Sequence, residues 1–356
     1  MLKIKSFLLI VVWAVAVLTV MPDNSFAKKK KDRAARDFRY ADIDDNDKLS
    51  PAEWNRRGNF DKLDKNGDGF ITIKELRAMY KGHDERDYTW PPKDLVKGEV
   101  EIDKSVESDR VDRDMFDGDT LCGIARVKHC DISSQKNRGL IATGSGPIFP
   151  EKVNCPGIDD YWAMDYSSKR NRAAFHGGID IPAAWGTPML AIADGSVVAK
   201  YKADQSKRGI EVVLRHSPDQ TGLPIWTYSA YGHLDSLSDF QIGQKVAMGE
   251  IIGPTGNSGI SGMGKGQSRI RRPAIHLATF YSSTGKYTES NATIVPLDGY
   301  WLDPMALYRQ KGPFDSVSVK ALPENEKDVL IPVLLEDGTT IPEDTKIIWP
   351  YACQQE

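Results

Sequence analysis

A histidine and an aspartate stand four residues apart in AFHGGIDI (174–181), where two glycines and an isoleucine separate His176 from Asp180. An imidazole nitrogen and a carboxylate oxygen are donors that a zinc ion accepts, and the glycines let backbone come close to whatever those donors hold. Further along, His233 sits in YSAYGHLD and His276 in RPAIHLATF. Three imidazoles and a carboxylate can together bind a metal and move protons near neutral pH. Each neighbourhood alone describes a hydrogen-bonded structural histidine equally well, so the signal lies in their order. Arg215 and His216 precede a turn and read as structural, while His83 and His129 carry no comparable context.

A second chemistry is written in oxygen donors. DIDDNDKLSPAE (42–53) and DKNGDGFITIKE (64–75) share one spacing, with oxygen side chains at positions one, three, five and nine and a glutamate at twelve. That spacing wraps a calcium ion and closes on a bidentate carboxylate. One loop offers Asp64, Asn66, Asp68, the carbonyl of Phe70, Thr72 and Glu75, with Gly69 at the tight turn. The other offers Asp42, Asp44, Asn46, the carbonyl of Lys48, Ser50 and Glu53. It carries Asp47 where glycine is usual, which predicts weaker binding because aspartate tolerates a left-handed backbone less well. Phe60 and Leu63 precede the second loop, and Leu76 and Tyr80 follow it. The pair, about 36–80, resembles an EF-hand domain, in which Leu49 and Ile71 at position eight would exchange a short bridge.

The elements that must position the histidines are short apolar runs broken by Gly, Pro and Asn: TPMLAIADGSVVAKY, GIEVVLRH, PIWTYSAYGHL and GQKVAMGEIIG. They predict a mainly antiparallel β domain beside a small α-helical one, an α+β chain. HGGIDIPAAWGTPMLAIADGSVV, YGHL and GQKVAMGEIIGPTGNSG, in that order over about 155–285, resemble the LytM-type M23 zinc metallopeptidases. The resemblance implies that His176 and Asp180 bind zinc, and that His233 and His276 are catalytic, as base or transition-state stabilisers. It also implies a third zinc ligand two residues after His276, where this chain has Ala278. Residues two apart on a strand face the same side, so Ala278 offers no lone pair to the site that His276 faces. A third donor then comes from His276 turning inward, from a distant segment or from substrate. The stretch GISGMGKGQSRIRR (259–272) holds no ordinary zinc ligand, but Lys265, Arg269, Arg271 and Arg272 make it basic. It reads as a solvated loop or as a substrate clamp for the acidic stem peptides of murein.

The rest of the chain bounds these readings. Residues 1–27 read as a signal peptide: Lys3 and Lys5 precede an apolar run from Phe7 to Val20, and small residues close at Ala27. That run is shorter than the roughly 20 residues that span a bilayer, so no stable membrane anchor is expected. The implied location is exported, periplasmic or extracellular. A basic stub (28–35), the EF-hand pair (36–80), a linker or poorly defined segment (81–154), the peptidase-like domain (155–310) and a C-terminal tail with a hairpin (311–356) follow. A net charge of −3 gives no reason to expect a nucleic-acid partner. Four cysteines allow three pairings. Joining Cys122 to Cys130 closes a short loop, and joining Cys155 to Cys353 ties down the tail. The resemblance implies an exported zinc metalloendopeptidase that cuts peptidoglycan peptide cross-links, with zinc and calcium as cofactors. The alternative is a non-catalytic LytM-like protein that binds murein or regulates another murein hydrolase. A calcium-dependent adhesin would leave the histidine constellation unexplained.

Overall fold

The computed structural model describes residues 34, 38, 41, 42, 44, 46–54, 60–84, 99–125, 127, 130–157, 166–167, 175–259 and 273–355. The expected signal peptide, residues 28–33 of the stub, and Lys265, Arg269, Arg271 and Arg272 lie outside the described residues. In chain order the strands are β1 (Pro147–Ile148), β2 (Val153–Asn154), β3 (Ile179–Pro182), β4 (Pro188–Leu190), β5 (Gly195–Tyr201) and β6 (Ile210–His216). There follow β7 (Trp226–Leu234), β8 (Lys245–Val246), β9 (Ile251–Pro254), β10 (Ala274–Ser282), β11 (Tyr287–Glu289) and β12 (Ile294–Pro296). The last are β13 (Tyr300–Leu302), β14 (Val329–Leu330), β15 (Val333–Leu334), β16 (Thr340–Ile341) and β17 (Gln354–Gln355).

The mainly antiparallel architecture read from the sequence is present. A seven-stranded sheet runs β13-β10-β7-β6-β5-β8, with β3 also paired to β10. Its long strands are rich in β-branched and aromatic residues and are buried on both faces, which suits the middle of a covered sheet. One edge of β10 pairs with β7 from His276 to Ser282. The other edge is divided: β3 takes Ala274 to Leu277, and β13 takes Thr279 to Tyr281. This division sets Asp180 opposite His276 and leaves room beside them for the residues before β3.

Two segments differ from the sequence expectation. The stretch read as a linker is part of the core from about residue 101: Val106, Phe116, Ile124 and Leu140 are buried against the sheet. Arg215 explains how a charge-rich stretch is held there. Its buried guanidinium donates to Asp109 at 2.6 Å and to Asp103 at 3.2 Å, and lies over the Trp226 ring. A buried cation needs such partners, and only distant residues supply them. The presumed tail is equally integral. It contains the expected hairpin, β15 with β16, but Trp349, Tyr351 and Cys353 are fully buried. Both expected disulfides, Cys122–Cys130 and Cys155–Cys353, are present.

In the N-terminal module Leu49 and Ile71 exchange two backbone hydrogen bonds of 2.9 Å, as position eight of each loop predicts. Leu49, Trp54, Ile71 and Leu76 form a small core that also takes in Trp185, from the loop joining β3 to β4. Among the described residues no helix is long and apolar enough to cross a membrane.

Candidate metal centre

The Gly-Gly step brings the HGGID donors against β10. A Cβ on Gly177 would lie 2.2 Å from the ring of Trp301, and one on Gly178 would lie 2.5 Å from the carbonyl of Leu277 and 2.9 Å from His276 Nε2. Gly178 also has φ +141°, which favours glycine. The Trp301 ring is itself braced, because its Nε1–H donates to the carbonyl of Gly123 at 3.0 Å. The backbone of 177–178 therefore lies flush between Trp301 and His276, and His176 and Asp180 arrive on either side.

Three donors meet there. His176 Nε2 is 3.3 Å from Asp180 Oδ1, and His276 Nδ1 is 2.8 Å from the same oxygen. One donor atom from each residue falls within 4.8 Å of the other two, and His176 and His276 are buried. His276 Nε2 is 3.0 Å from the carbonyl of Gly177, which can only accept, so that nitrogen carries the hydrogen. In the neutral ring Nδ1 then points a lone pair at a carboxylate oxygen, and a proton or a cation has to lie between them. Burial, first of all, pushes His276 down to about 3; the Asp180 hydrogen bond opposes this, and His176 and Arg208 add to it. Burial favours the uncharged ring, which is the form that can bind a cation. Zinc bonds of about 2.0–2.1 Å in a tetrahedron put ligand atoms about 3.3 Å apart, the His176–Asp180 spacing. The carbonyl on the far nitrogen of His276 is the usual support of a metal-bound imidazole.

His233 faces the same oxygen from farther away, with Nε2 at 4.0 Å. Its Nδ1–H donates to the carbonyl of Ser258 at 2.7 Å, so Nε2 holds the lone pair. Ser258 is fixed in turn, its hydroxyl donating to the Leu234 carbonyl at 2.6 Å and accepting from the Ile210 N–H at 2.9 Å. His233 has φ +66°, unusual for a bulky side chain, and its N–H donates to the carbonyl of Arg208 at 2.8 Å. The Arg208 side chain pairs with buried Glu211 at 2.8 Å. Sequence reading missed Arg208, since nothing in KRGIE marks it as reaching His233.

His276 thus stands with His176 and Asp180, whereas the sequence expectation placed it with His233 and sought a ligand at Ala278. Ala278 is fully buried opposite Ala230, and the other neighbour of His276 on that face, Ala274, lies opposite Pro182. Of the sources left open for a third donor, the described residues show His276 turned towards His176 and Asp180.

The two acidic loops are built alike. Asp42 accepts the N–H groups of Asn46 and Asp47, and Asp64 those of Asp68 and Gly69. Asn46 accepts from the Lys48 N–H, Asn66 from the Asp68 N–H, and Asp68 from the Phe70 N–H. Ser50 donates through N–H and hydroxyl to Glu53, and Thr72 does the same to Glu75. Partial burial raises the Glu75 carboxyl, but the bonds from Thr72, Lys65 and Asn66 outweigh it and hold the group below the usual range. Asp47 adopts the turn that Gly69 makes, at φ +59° against +83°. Carboxylate oxygens of Asp42, Asp44 and Glu53 lie within 4.8 Å of one another. The loop expected to be the weaker therefore gathers its charges well.

Comparison with known proteins agrees with both motifs. The model of peptidase family M23 matches residues 174–283, and an EF-hand model matches residues 60–80. No curated protein matches the chain. Among solved structures, the catalytic domain of a mutant of the prophage-encoded M23 protein EnpA from Enterococcus faecalis is 24% identical, over 43% of this chain and 94% of that one, with a TM-score of 0.25. A zinc-containing peptidase from Vibrio cholerae is 22% identical, over 36% of this chain and 32% of its own, at 0.24. Lysostaphin is 26% identical, over 34% of this chain and 40% of its own, at 0.23. With scores this low, none of the three bears on the chemistry of the site.

Proposed function

We propose that this protein is an exported zinc metalloendopeptidase that cuts peptide cross-links in peptidoglycan, with an EF-hand pair that binds calcium. The observation that carries the reading is the convergence of His176, Asp180 and His276, with the lone pair of His276 Nδ1 aimed at the Asp180 carboxylate. These three residues would hold the zinc, which when bound polarises a carbonyl and acidifies water. Asp180 brings the one negative charge of the donor set. Gly177, by accepting from His276 Nε2, fixes the tautomer that presents Nδ1. His233 Nε2 takes a proton from the attacking water and returns it to the leaving amine, while the Ser258 carbonyl stabilises the imidazolium formed between those transfers.

A second reading, murein binding or regulation of another hydrolase without cleavage, is favoured by one observation. Beside the three donors the described residues offer one imidazole for proton transfer, His233, and the β10 positions two residues either side of His276 are both alanine. One experiment separates the two. The purified protein is assayed for bound zinc and for peptide release from murein, alongside His176→Ala, Asp180→Ala, His276→Ala and His233→Ala. The peptidase reading expects zinc loss in the first three, and retained zinc with a rate reduced about 10²–10⁴-fold in the last. Wild-type protein that holds zinc but releases no peptide would leave the scaffold reading standing.

A further inference from the structure

The C-terminal segment reaches the candidate metal centre from below. The Tyr351 side chain is fully buried, and its hydroxyl accepts from the Ile275 N–H at 3.2 Å and lies 3.3 Å from the Ile181 carbonyl. Those residues are register partners across β3 and β10, each covalently next to a proposed zinc ligand: Ile181 follows Asp180, and Ile275 precedes His276. The hydroxyl is also 3.1 Å from Thr255 Oγ1, whose own proton goes to the Thr187 carbonyl at 2.7 Å. The Tyr351 proton is therefore shared between Ile181 and Thr255. One phenol ties together the strand bearing Asp180, the strand bearing His276 and the end of β9.

The segment around it is firmly anchored. The Trp349 indole N–H donates to the Pro156 carbonyl at 2.9 Å, β17 pairs with β2, and Cys353 is joined to Cys155. The backbone on either side of Tyr351 is thus held by contacts that do not involve β3 or β10. We propose that Tyr351 is a positioning residue that fixes the spacing between Asp180 and His276, so that the C-terminal segment is a working part of the metal centre. This rests on the zinc site proposed above. Tyr351 acts through the peptide groups beside two ligands; partners bonded directly to metal ligands contribute 10- to 100-fold to metal affinity or activity, and an effect of that order is expected here.

The test is Tyr351→Phe in the full chain, with Tyr308→Phe as control. Tyr308 is also buried, and its hydroxyl donates to the Ile348 carbonyl at 3.3 Å without reaching β3 or β10. Zinc affinity is measured by chelator competition, and protection of the Ile275 amide by hydrogen exchange in metal-free protein, which also reports whether the variant is folded. The expected result is a 10- to 100-fold weaker zinc affinity and faster Ile275 exchange in Tyr351→Phe, with both unchanged in Tyr308→Phe. Equal zinc affinity in Tyr351→Phe and wild type, or equal losses in both variants, would overturn the positioning role and leave the zinc site intact. Wild type that binds no zinc would overturn the site and this role together.

Discussion

His233 carries a backbone conformation that its side chain disfavours. A non-glycine residue at φ +66° costs about 1–2 kcal/mol, held in place here by bonds from its N–H to Arg208 and from Nδ1 to Ser258. His233→Gly should therefore be more stable than His233→Ala by about 1 kcal/mol in denaturant titration, while the proposed peptidase function expects both to lose peptide release. Equal stabilities would mean that the left-handed turn stores no strain. The alanines beside His276 make a second residue-level prediction. Ala278 is fully buried beside Ala230, so Ala278→His would force an imidazole into the core. Overpacking of this kind typically costs about 1–3 kcal/mol, and burying an imidazole without a partner adds to it. The expected result is a lower melting temperature with no gain in bound zinc. A gain in zinc would restore the sequence expectation that a ligand belongs there.

At the scale of elements, what could be read in advance was what is encoded within a few residues. Both acidic loops, the Leu49–Ile71 bridge and the four-residue spacing of His176 and Asp180 are local signals, and each has its place in the structure. The partners of His276 were not legible, because they depend on the register that sets it opposite Asp180, and register is not written in a single strand. His216, read as structural in the sequence, is structural, though its partners are set by the same long-range register. Its Nδ1 meets the Asp194 carbonyl and its Nε2 the Ser229 hydroxyl, both at 2.7 Å, and burial pushes its imidazole down to about 4. A histidine so depressed contributes stability that is present above its unfolded value near 6.5 and is lost as pH falls towards 4. The stability at stake is on the order of a few kcal/mol. Asp303 slopes the other way over the same window. Burial raises it to about 6 against bonds from Thr143 and Met305, so protonation relieves it as pH falls. The whole-protein curve therefore masks His216, and a variant reveals it. His216→Gln should be less stable than wild type at pH 7.5, with the gap closing by about 2 kcal/mol or more at pH 4.5. A gap independent of pH would show that His216 is not held neutral.

Across the whole molecule, a few contacts join distant segments to the sheet. Gly123 braces Trp301, which lies on Gly177; Tyr351 bridges β3 and β10; and Arg215 pins Asp103 and Asp109. These contacts join residues from 76 to 178 apart, which is why 101–154 and 311–356 looked like linker and tail in the sequence. The EF-hand core takes in Trp185, five residues beyond Asp180 on the chain that leaves β3. The Trp185 loop is tied back to the sheet, with the Gly186 N–H on the Thr255 carbonyl at 2.8 Å and Thr187 bonded to Ala184. Ordering of the module by calcium should therefore be felt in residues 183–187. For sites of the weak extracellular kind, with Kd about 10⁻⁴–10⁻³ M, 2 mM calcium stabilises the bound state by about 0.6–1.8 kcal/mol per site. Hydrogen exchange at 183–187 should accordingly slow by about 3- to 20-fold per occupied site if opening of this loop requires release of the module. Asp42→Ala combined with Asp64→Ala should abolish the slowing, and Trp185→Ala should weaken calcium binding, because coupling between two sites is reciprocal. Exchange at 183–187 that is identical in calcium and in chelator would show that the calcium module and the β3–β4 loop share a core without sharing energy.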